Sequence, residues 1–276
     1  MSEKQALLAT LEGVGQLEDE TLELAETALI LSALDNPKLV LDPYRQHLKN
    51  MAVEAANIGC DIERLEARVT FINRLLFETH GYVGDTEDYD NPNNANLLHV
   101  IDNRAGLPVS IGILYIHCAR AAQYDIAGLA FPGHFLLRMS AGAERTILDP
   151  FHAGQTLEAG HLRDLLKQFM GADAELAPRH HAPVGNRDIL LRLVNNVKSR
   201  ALRDNNATRA VQLLERMVLF APKTANVWQE LGVLSAHTGK LRQAIHALET
   251  FLDFALPDHE KRAAETLLKQ IKTSMN

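Results

Sequence analysis

Three polar residues of the types used in acyl-transfer chemistry follow one another along the chain, each beside apolar sequence. Ser110 lies in "GLPVSIGILY", His134 in "FPGHFLLRM" and Asp149 in "TILDPF". In a Ser-His-Asp enzyme the serine hydroxyl attacks a carbonyl carbon, the histidine takes the hydroxyl proton, and the aspartate orients the histidine ring. Backbone N–H groups at the start of the helix around Ser110 would stabilise the oxyanion. These residues indicate a candidate site for amide or ester chemistry.

Each of the three residues also has a structural explanation that needs no chemistry. Ser110 follows Pro108 and is of a type that caps the start of a helix. His134 could hydrogen-bond inside the core in one fixed tautomer. Asp149 could be a turn residue before a proline. For all three residues the structural and the functional interpretations remain open at this point.

A polar loop precedes the candidate site. Residues 81–96, "GYVGDTEDYDNPNNAN", are rich in Gly, Asp, Asn and Pro, which is typical of a loop. Asp90, Asn93 and Asn94 are candidates for lining a cleft, or they simply solvate this loop. Arg104, which precedes "AGLP", is a fourth cleft-lining candidate, and we predict that it pairs with a carboxylate, in that loop or elsewhere.

Hydrophobic spacing predicts the elements that position these residues. Residues 1–80 carry apolar residues at helical intervals, and "SIGILYIHCARAAQ" predicts a central helix that Ser110 opens. Three short strands are predicted at 126–131, 134–139 and 145–149, the first two joined by the tight turn "PG". His134 would then open the second strand and Asp149 would close the third.

The order of these elements predicts the fold class and the domain organisation. Helices, then one central helix, then antiparallel strands indicate an α+β domain rather than repeated βαβ units. A further helix is predicted over 157–170. We predict that this domain covers residues 1–172 and that a linker containing proline and glycine follows at 173–188.

An internal repeat is visible in the C-terminal part of the chain. Three core-type residues recur after about 34 residues, the period of tetratricopeptide helix pairs: Ala210, Leu214 and Met217 precede Ala244, Leu248 and Phe251. Residues 228–232, "WQELG", match the W-x₂-L-G part of the same pattern. We predict an all-α tetratricopeptide-like array over residues 189–276.

Three stretches of the sequence resemble the bacterial SirB-type family, in which a transglutaminase-like domain precedes tetratricopeptide repeats. They are "NPNNANLLHVIDNRAGLPVSIGILYIHCARAAQ", "LAFPGHFLLRM" and "ILDPF". The resemblance implies a transglutaminase-like, papain-type domain with N-terminal helices, a central helix and a small antiparallel sheet. It also implies that Ser110 stands where a transglutaminase-like enzyme has its catalytic cysteine, with His134 and Asp149 in the histidine and aspartate positions.

Serine in place of cysteine changes the chemistry that we expect. A thiol has a pKa of about 8.5, which a helix start and a histidine can lower enough to store a thiolate. A serine hydroxyl must instead lose its proton to the histidine during attack. We therefore expect a non-catalytic binding, scaffold or regulatory protein that uses the cleft and the helical repeats. The alternative is an amide or ester hydrolase or acyl transferase that uses Ser110, His134 and Asp149.

The nearest cysteine does not replace Ser110 in this scheme. Cys118 lies eight residues further along the predicted central helix, which corresponds to about 12 Å along the helix axis. A histidine that reaches Ser110 would not reach Cys118. We expect Cys118 to be a small buried residue of the core.

Charge and composition restrict the partners. The chain has 276 residues and a net charge of -7, which argues against a nucleic-acid partner. No apolar run is long enough to span a membrane. We see no signal peptide, so the two cysteines indicate a cytoplasmic protein. We expect a protein or peptide partner at the helical repeats, while the sequence leaves the oligomeric state open.

No metal site or cofactor is predicted from the sequence. Cys60 and Cys118 do not form a CxxC pair, so neither a zinc motif nor a redox motif is visible. The doublet His180–His181 has no third ligand at metal spacing and is interpreted as solvated.

Overall fold

The computed structural model describes residues 2–254 and 257–274. The α-helices in this part of the chain are α1 (Glu3–Gly15), α2 (Leu24–Ala33), α3 (Asp42–Gly59), α4 (Leu65–Asn73), α5 (Leu97–Asn103), α6 (Pro108–Ala121), α7 (Ala159–Met170), α8 (Asn186–Arg203), α9 (Ala207–Phe220), α10 (Ala225–His237), α11 (Leu241–Leu252) and α12 (Asp258–Ser274). The strands are β1 (Val83–Gly84), β2 (Ala105–Gly106), β3 (Asp125–Leu129), β4 (Leu137–Ala141), β5 (Glu144–Asp149), β6 (Gln155–Leu157) and β7 (Pro183–Val184). The chain divides into two units, residues 18–193 and residues 1–17 with 194–276.

The main sheet of the unit 18–193 is antiparallel, with the strand order β6-β5-β4-β3-β7. Leu137 of β4 lies opposite Leu148 of β5, and Arg138 lies opposite Ile147. Successive residues of a strand point to opposite faces. Leu137 and Leu148 are therefore buried together, whereas Arg138 and Ile147 are partly exposed on the other face. This is the small antiparallel sheet that the sequence predicts.

Helix α6 is the predicted central helix. It carries apolar residues around its whole circumference, which is typical of a helix that is covered on all sides. It packs against α3 and β3, and Ile111, Leu114 and Tyr115 are all fully buried. Gly112 allows the closest approach, because a Cβ at that position would lie 2.4 Å from a ring atom of Phe135. Helix α6 therefore holds the segment that contains His134 in place.

The connection between β3 and β4 is longer than the two-residue turn that we predicted. Strand β4 begins at Leu137, so the prediction that His134 opens this strand is wrong by three residues. Phe135, Leu136 and Leu137 are consecutive and each at most 1% exposed. The stretch therefore lacks the alternation of buried and exposed residues expected of a strand with one solvated face. His134 lies in the connection itself.

The segment 173–188, predicted as a linker, contributes to the main sheet. Its residues Pro183 and Val184 form β7 and pair with Leu129 and Gly128 of β3. A proline is tolerated there because β7 is an edge strand. The domain boundaries derived from the sequence remain a prediction.

The unit formed by residues 1–17 and 194–276 contains the predicted helical array. Helix α1 packs against α9, and α9 to α12 pack in succession. Ala210 and Ala244, aligned by the repeat, are both 0% exposed, and small residues let neighbouring helices approach closely. A Cβ on Gly232 would lie 2.7 Å from the Leu248 side chain. The repeat spacing thus correctly identified the contact positions of the array.

None of the helices in the described part of the chain combines the length and the apolar character that crossing a membrane requires.

Candidate functional site

His134 and Asp149 form a buried pair. The His134 Nε2 atom lies 2.9 Å from both carboxylate oxygens of Asp149, and the two residues are 6% and 3% exposed. A carboxylate in this position fixes the orientation of an imidazole ring. The Nδ1 atom of His134 has no hydrogen-bond partner among residues 2–254 and 257–274. The pairing of base and orienting acid is present, and the second ring nitrogen is unengaged.

Asp149 is held by the turn that follows it. It is the last residue of β5, and the 3₁₀ turn Pro150–His152 comes directly after it. Its Oδ1 accepts the Phe151 N–H at 2.9 Å, and its Oδ2 lies 2.7 Å from Nδ1 of His152. Burial alone would raise the pKa of Asp149, but the hydrogen bonds and charges of His134 and His152 outweigh burial and lower it. The carboxylate is therefore kept ionised.

Ser110 lies in the first turn of α6, and its side chain does not cap the helix. The helix begins at Pro108, with Leu107 in the N-cap position, because proline fits the first helical position well. The prediction that Ser110 opens the helix is therefore wrong by two residues, and the interpretation of Ser110 as a helix cap does not apply. The residue is fully buried, and its Oγ donates a hydrogen bond of 2.7 Å to the backbone carbonyl of Asn94. No hydrogen bond joins Ser110 to His134 in the part of the chain that the structure describes.

Asn94 connects the polar loop to the start of α6. It is 1% exposed, and its side-chain amide donates to the Asp85 carboxylate at 2.9 Å and to the Asp88 carbonyl at 2.8 Å. Its own carbonyl accepts the Leu107 N–H at 3.0 Å as well as the Ser110 hydroxyl. Both ends of Asn94 are thus engaged in holding the loop.

The other two loop candidates lie at the surface. Asp90 and Asn93 are exposed. The backbone N–H of Asn93 donates to Oδ1 of Asn91 at 2.9 Å, an Asx turn of the kind expected in such a loop. Their role in lining a cleft remains a prediction.

Arg104 has different partners from the one predicted. Instead of a carboxylate, its guanidinium donates to the Tyr82 hydroxyl and to Nε2 of His47, the latter at 2.9 Å. Tyr82 is fully buried, and the guanidinium also lies 4.8 Å from the centroid of its ring. Arg104 adopts a left-handed conformation with φ 58° at the end of α5, and its side chain contacts both His47 of α3 and Tyr82 at the start of the loop.

Aromatic side chains surround the imidazole of His134, and neither Phe151 nor Phe169 was predicted to be a site residue. Phe151 meets the ring edge-on at 6.1 Å, and Phe169 is stacked against it at 6.3 Å. A Cβ on Gly133 would lie 2.2 Å from the Phe169 ring, so glycine is needed for this contact. Tyr89 covers Phe151 edge-on at 5.6 Å. These rings give the site apolar walls.

His152 is a further site residue that was not predicted from the sequence. Its ring is stacked on that of His134 with centroids 6.1 Å apart. The stretch "DPFH" could have predicted a contact between its aspartate and its histidine, because residues i and i+3 of a 3₁₀ turn lie above one another. Asp149 and His152 are three residues apart across such a turn, so their contact follows from local geometry.

Cys118 lies in the core, as predicted. It is fully buried, and burial raises the pKa of its thiol to about 12. A thiol in this environment does not ionise near neutral pH and is not a nucleophile. Cys60 is exposed, and both cysteines are free.

Two family models match this chain. Residues 42–195 match the model described as the transglutaminase-like superfamily, and residues 197–271 match a tetratricopeptide-repeat model. The predicted order of a transglutaminase-like domain followed by helical repeats is therefore confirmed.

Curated relatives match over most of the chain. A UPF0162 protein of Vibrio cholerae is 30% identical, and the aligned region covers 91% of this chain and 92% of the Vibrio protein. A UPF0162 protein of Xylella fastidiosa is 27% identical, with 93% and 92% covered. F-box only protein 21 of Mus musculus is 29% identical over 52% of this chain, which corresponds to 23% of the mouse protein.

Proposed function

We propose that this chain, which belongs to the UPF0162 family of transglutaminase-like proteins with tetratricopeptide repeats, is a non-catalytic binding or scaffold protein. The observation that carries the proposal is the hydrogen bond from the Ser110 hydroxyl to the Asn94 carbonyl. A nucleophilic serine gives its proton to the histidine base during attack. In this chain the proton points to a backbone carbonyl, which cannot accept it as a base.

The burial of Ser110 supports the same conclusion. The residue is 0% exposed, so a substrate carbonyl has no path to its oxygen without rearrangement of the loop that Asn94 holds. The Asn94 side chain is anchored to both Asp85 and Asp88, and displacing it would leave a buried amide without partners at a cost of about 1–3 kcal/mol. A buried hydroxyl held by a backbone carbonyl is suited to a structural role.

The helical repeats supply the second part of the proposal. Tetratricopeptide repeats generally mediate contacts between proteins, and the match covers residues 197–271. We infer that a protein or peptide partner binds this array, while the predicted cleft beside His134 holds a ligand or peptide segment. The free cysteines are consistent with the cytoplasmic location expected from the sequence.

A fluorophosphonate probe for serine hydrolases tests the non-catalytic function. We expect labelling of the purified full-length chain to equal that of Ser110→Ala, because the hydroxyl is buried and lacks a base. Both proteins are compared with a heat-denatured sample to define background. Labelling of the wild type that Ser110→Ala abolishes would reject the proposal.

One observation favours the alternative, an amide or ester hydrolase or acyl transferase. The His134–Asp149 pair has the geometry of an oriented base, with hydrogen bonds of 2.9 Å and an unengaged Nδ1. In this scheme Ser110 would rotate away from Asn94, and His134 would take its proton. The probe experiment distinguishes the two functions directly, since only the enzyme labels at Ser110.

A further inference from the structure

Three side chains with metal-binding atoms converge on one point of the unit 18–193. The ligand atoms of His134, Asp149 and His152 all lie within 4.8 Å of one another. Two imidazole nitrogens and one carboxylate oxygen are a donor set that Zn²⁺ and other divalent transition metals prefer. Mg²⁺ and Ca²⁺ are disfavoured, because they take sets made of oxygen ligands.

Local backbone geometry brings two of the three ligands together. Asp149 and His152 flank the 3₁₀ turn Pro150–His152, and residues i and i+3 of such a turn lie above one another. The left-handed Ala153 (φ 52°) and Gly154 (φ 70°) end the turn, and the Gly154 N–H donates to the Asp149 carbonyl at 2.9 Å. The turn is closed on itself and does not depend on a bound ion for its shape.

The third ligand is delivered by packing. His134 comes from the connection between β3 and β4, and its ring is stacked against those of Phe169 and His152, at centroid distances of 6.3 Å and 6.1 Å. Phe151 meets the rings of both His134 and His152 edge-on. These contacts limit the orientations that both imidazoles can take, so little ordering is required on binding.

The distances fit a site that closes on an ion. The two nitrogens now lie 2.7 and 2.9 Å from Oδ2 of Asp149. Around a tetrahedral ion with bonds of about 2.0–2.1 Å, neighbouring ligand atoms are about 3.3 Å apart. Each nitrogen therefore needs to move only about half an ångström away from Oδ2, and the two nitrogens, which lie within 4.8 Å of one another, need to reach the same separation of about 3.3 Å. Oδ1 of Asp149 accepts the Phe151 N–H, which leaves Oδ2 for the metal.

An ion can reach the cluster from solvent. The side chain of His152 is 57% exposed, whereas those of His134 and Asp149 are 7% and 5% exposed. The cluster therefore has two ligands on the protein side and one at its mouth. Three protein ligands leave at least one coordination position for water or another group, unlike the four protein ligands of a structural zinc site.

We propose that His134, Asp149 and His152 form a binding site for a divalent transition-metal ion of the Zn²⁺ class. The ion replaces the hydrogen bonds between the two imidazoles and the carboxylate, and it neutralises the buried charge of Asp149. The proposal rests on these three residues and their spacing, and it is independent of the state of Ser110 and of the repeats.

Isothermal titration of the full-length chain, free of affinity tag and treated with EDTA, tests this site with Zn²⁺ alone. We expect one saturable site per chain, and we expect His152→Ala to weaken the affinity about tenfold or more. His152 is largely exposed, so the variant should fold. The matched control is His161→Gln, an exposed histidine of α7, which should leave the affinity unchanged.

The spectrum of bound Co²⁺ supplies a second readout. We expect absorption bands in the visible region, with the intensity typical of Co²⁺ that has four or five ligands. These bands should be lost in His152→Ala and Asp149→Asn and retained in His161→Gln. The proposal would be overturned if the wild type did not bind Zn²⁺, or if His152→Ala bound Zn²⁺ as tightly as the wild type. Labelling of Ser110 by the serine probe would reject the non-catalytic function and leave the metal titration unaffected, so the two proposals fail separately.

Discussion

At the scale of single residues, the direction of one hydroxyl proton decides how the site is interpreted. Ser110, His134 and Asp149 are the residue types of a hydrolase, and His134 and Asp149 are paired as that chemistry requires. Ser110 instead donates to Asn94 and is enclosed. A neutral hydrogen bond contributes only about 0.5–1.5 kcal/mol, but the Ser110 side chain that makes it is also completely buried. The pair has the geometry of an oriented base, whereas the serine hydroxyl is held by a backbone carbonyl.

The reactivity of a thiol placed at position 110 measures this enclosure. In a Cys60→Ser background, we expect Ser110→Cys to react with iodoacetamide at pH 7 no faster than the buried Cys118, because position 110 is equally inaccessible. Mass spectrometry of the alkylated peptides gives both rates in one sample. Rapid alkylation that His134→Ala slows would show an activated, open site and contradict the expectation.

Asp149 is the residue whose loss should cost most stability at the site. Asp149→Asn replaces a carboxylate that serves His134, His152 and the Phe151 N–H with an amide that accepts fewer hydrogen bonds. We expect the free energy of unfolding to fall by about 1–3 kcal/mol, measured by urea denaturation. Asp164→Asn, an exposed substitution on α7, should change it by less than about 0.5 kcal/mol. Equal stabilities for the two variants would contradict the importance of the pair.

At the scale of elements, the contact between α6 and the β3–β4 connection positions the base. Gly112 lies under the ring of Phe135, the residue next to His134. A helix interior normally favours alanine over glycine by about 1 kcal/mol. Here the larger side chain would meet the ring at 2.4 Å, and overpacking of a core costs about 1–3 kcal/mol. Packing therefore outweighs helix propensity at this position.

Gly112→Ala should destabilise the protein by up to about 2 kcal/mol, because the strain exceeds the gain in propensity. The measurement is thermal or urea unfolding. Gly160→Ala in α7 is the matched control, since a Cβ there would meet nothing within 4 Å, and it should be neutral or stabilising by up to about 1 kcal/mol. A stabilising effect of Gly112→Ala would mean that Phe135 moves freely and that α6 does not fix His134.

At the scale of the whole molecule, a partly buried histidine makes stability depend on pH. Burial, followed by the charges of Arg104 and His80, lowers the pKa of His47 to about 4, and the charge of Glu54 acts in the opposite direction. The unfolded chain takes up this proton near pH 6.5 and the folded chain only near pH 4. The unfolded state therefore binds more protons in this window, and stability falls as the pH is lowered through it.

Lowering the pH from 7 to 5 should reduce the free energy of unfolding through His47 by about 1 kcal/mol, a value discounted because the side chain is only partly buried. Urea denaturation at several pH values measures this slope. His47→Gln, which keeps a polar partner for Tyr82 and Arg104, should flatten the slope between pH 6.5 and 4. His259→Gln, an exposed substitution, should not. Identical slopes in all three proteins would exclude His47 as the cause.

Much of the architecture could be predicted because it depends on local pattern. The central helix, the helical array and the order of helices before strands follow from hydrophobic period and repeat spacing. The errors occurred where burial is continuous, as in Phe135–Leu137, or where the first residue of a helix was assigned by type. Pro108 rather than Ser110 begins α6, since the fixed φ of proline fits the first helical position.

The sequence by itself determined the residue types of the site, their order and the elements that carry them, because those properties are local. The tertiary structure alone decided which atoms meet. Ser110 donates to a carbonyl 16 residues away and Arg104 to a histidine 57 residues away, and Phe169 reaches His134 from α7. Partners of this kind are chosen by how distant segments pack, and each buried polar group takes the acceptor that packing leaves beside it. The local sequence therefore supplies the residue types that the chemistry requires, whereas non-local contacts decide which of these side chains meet.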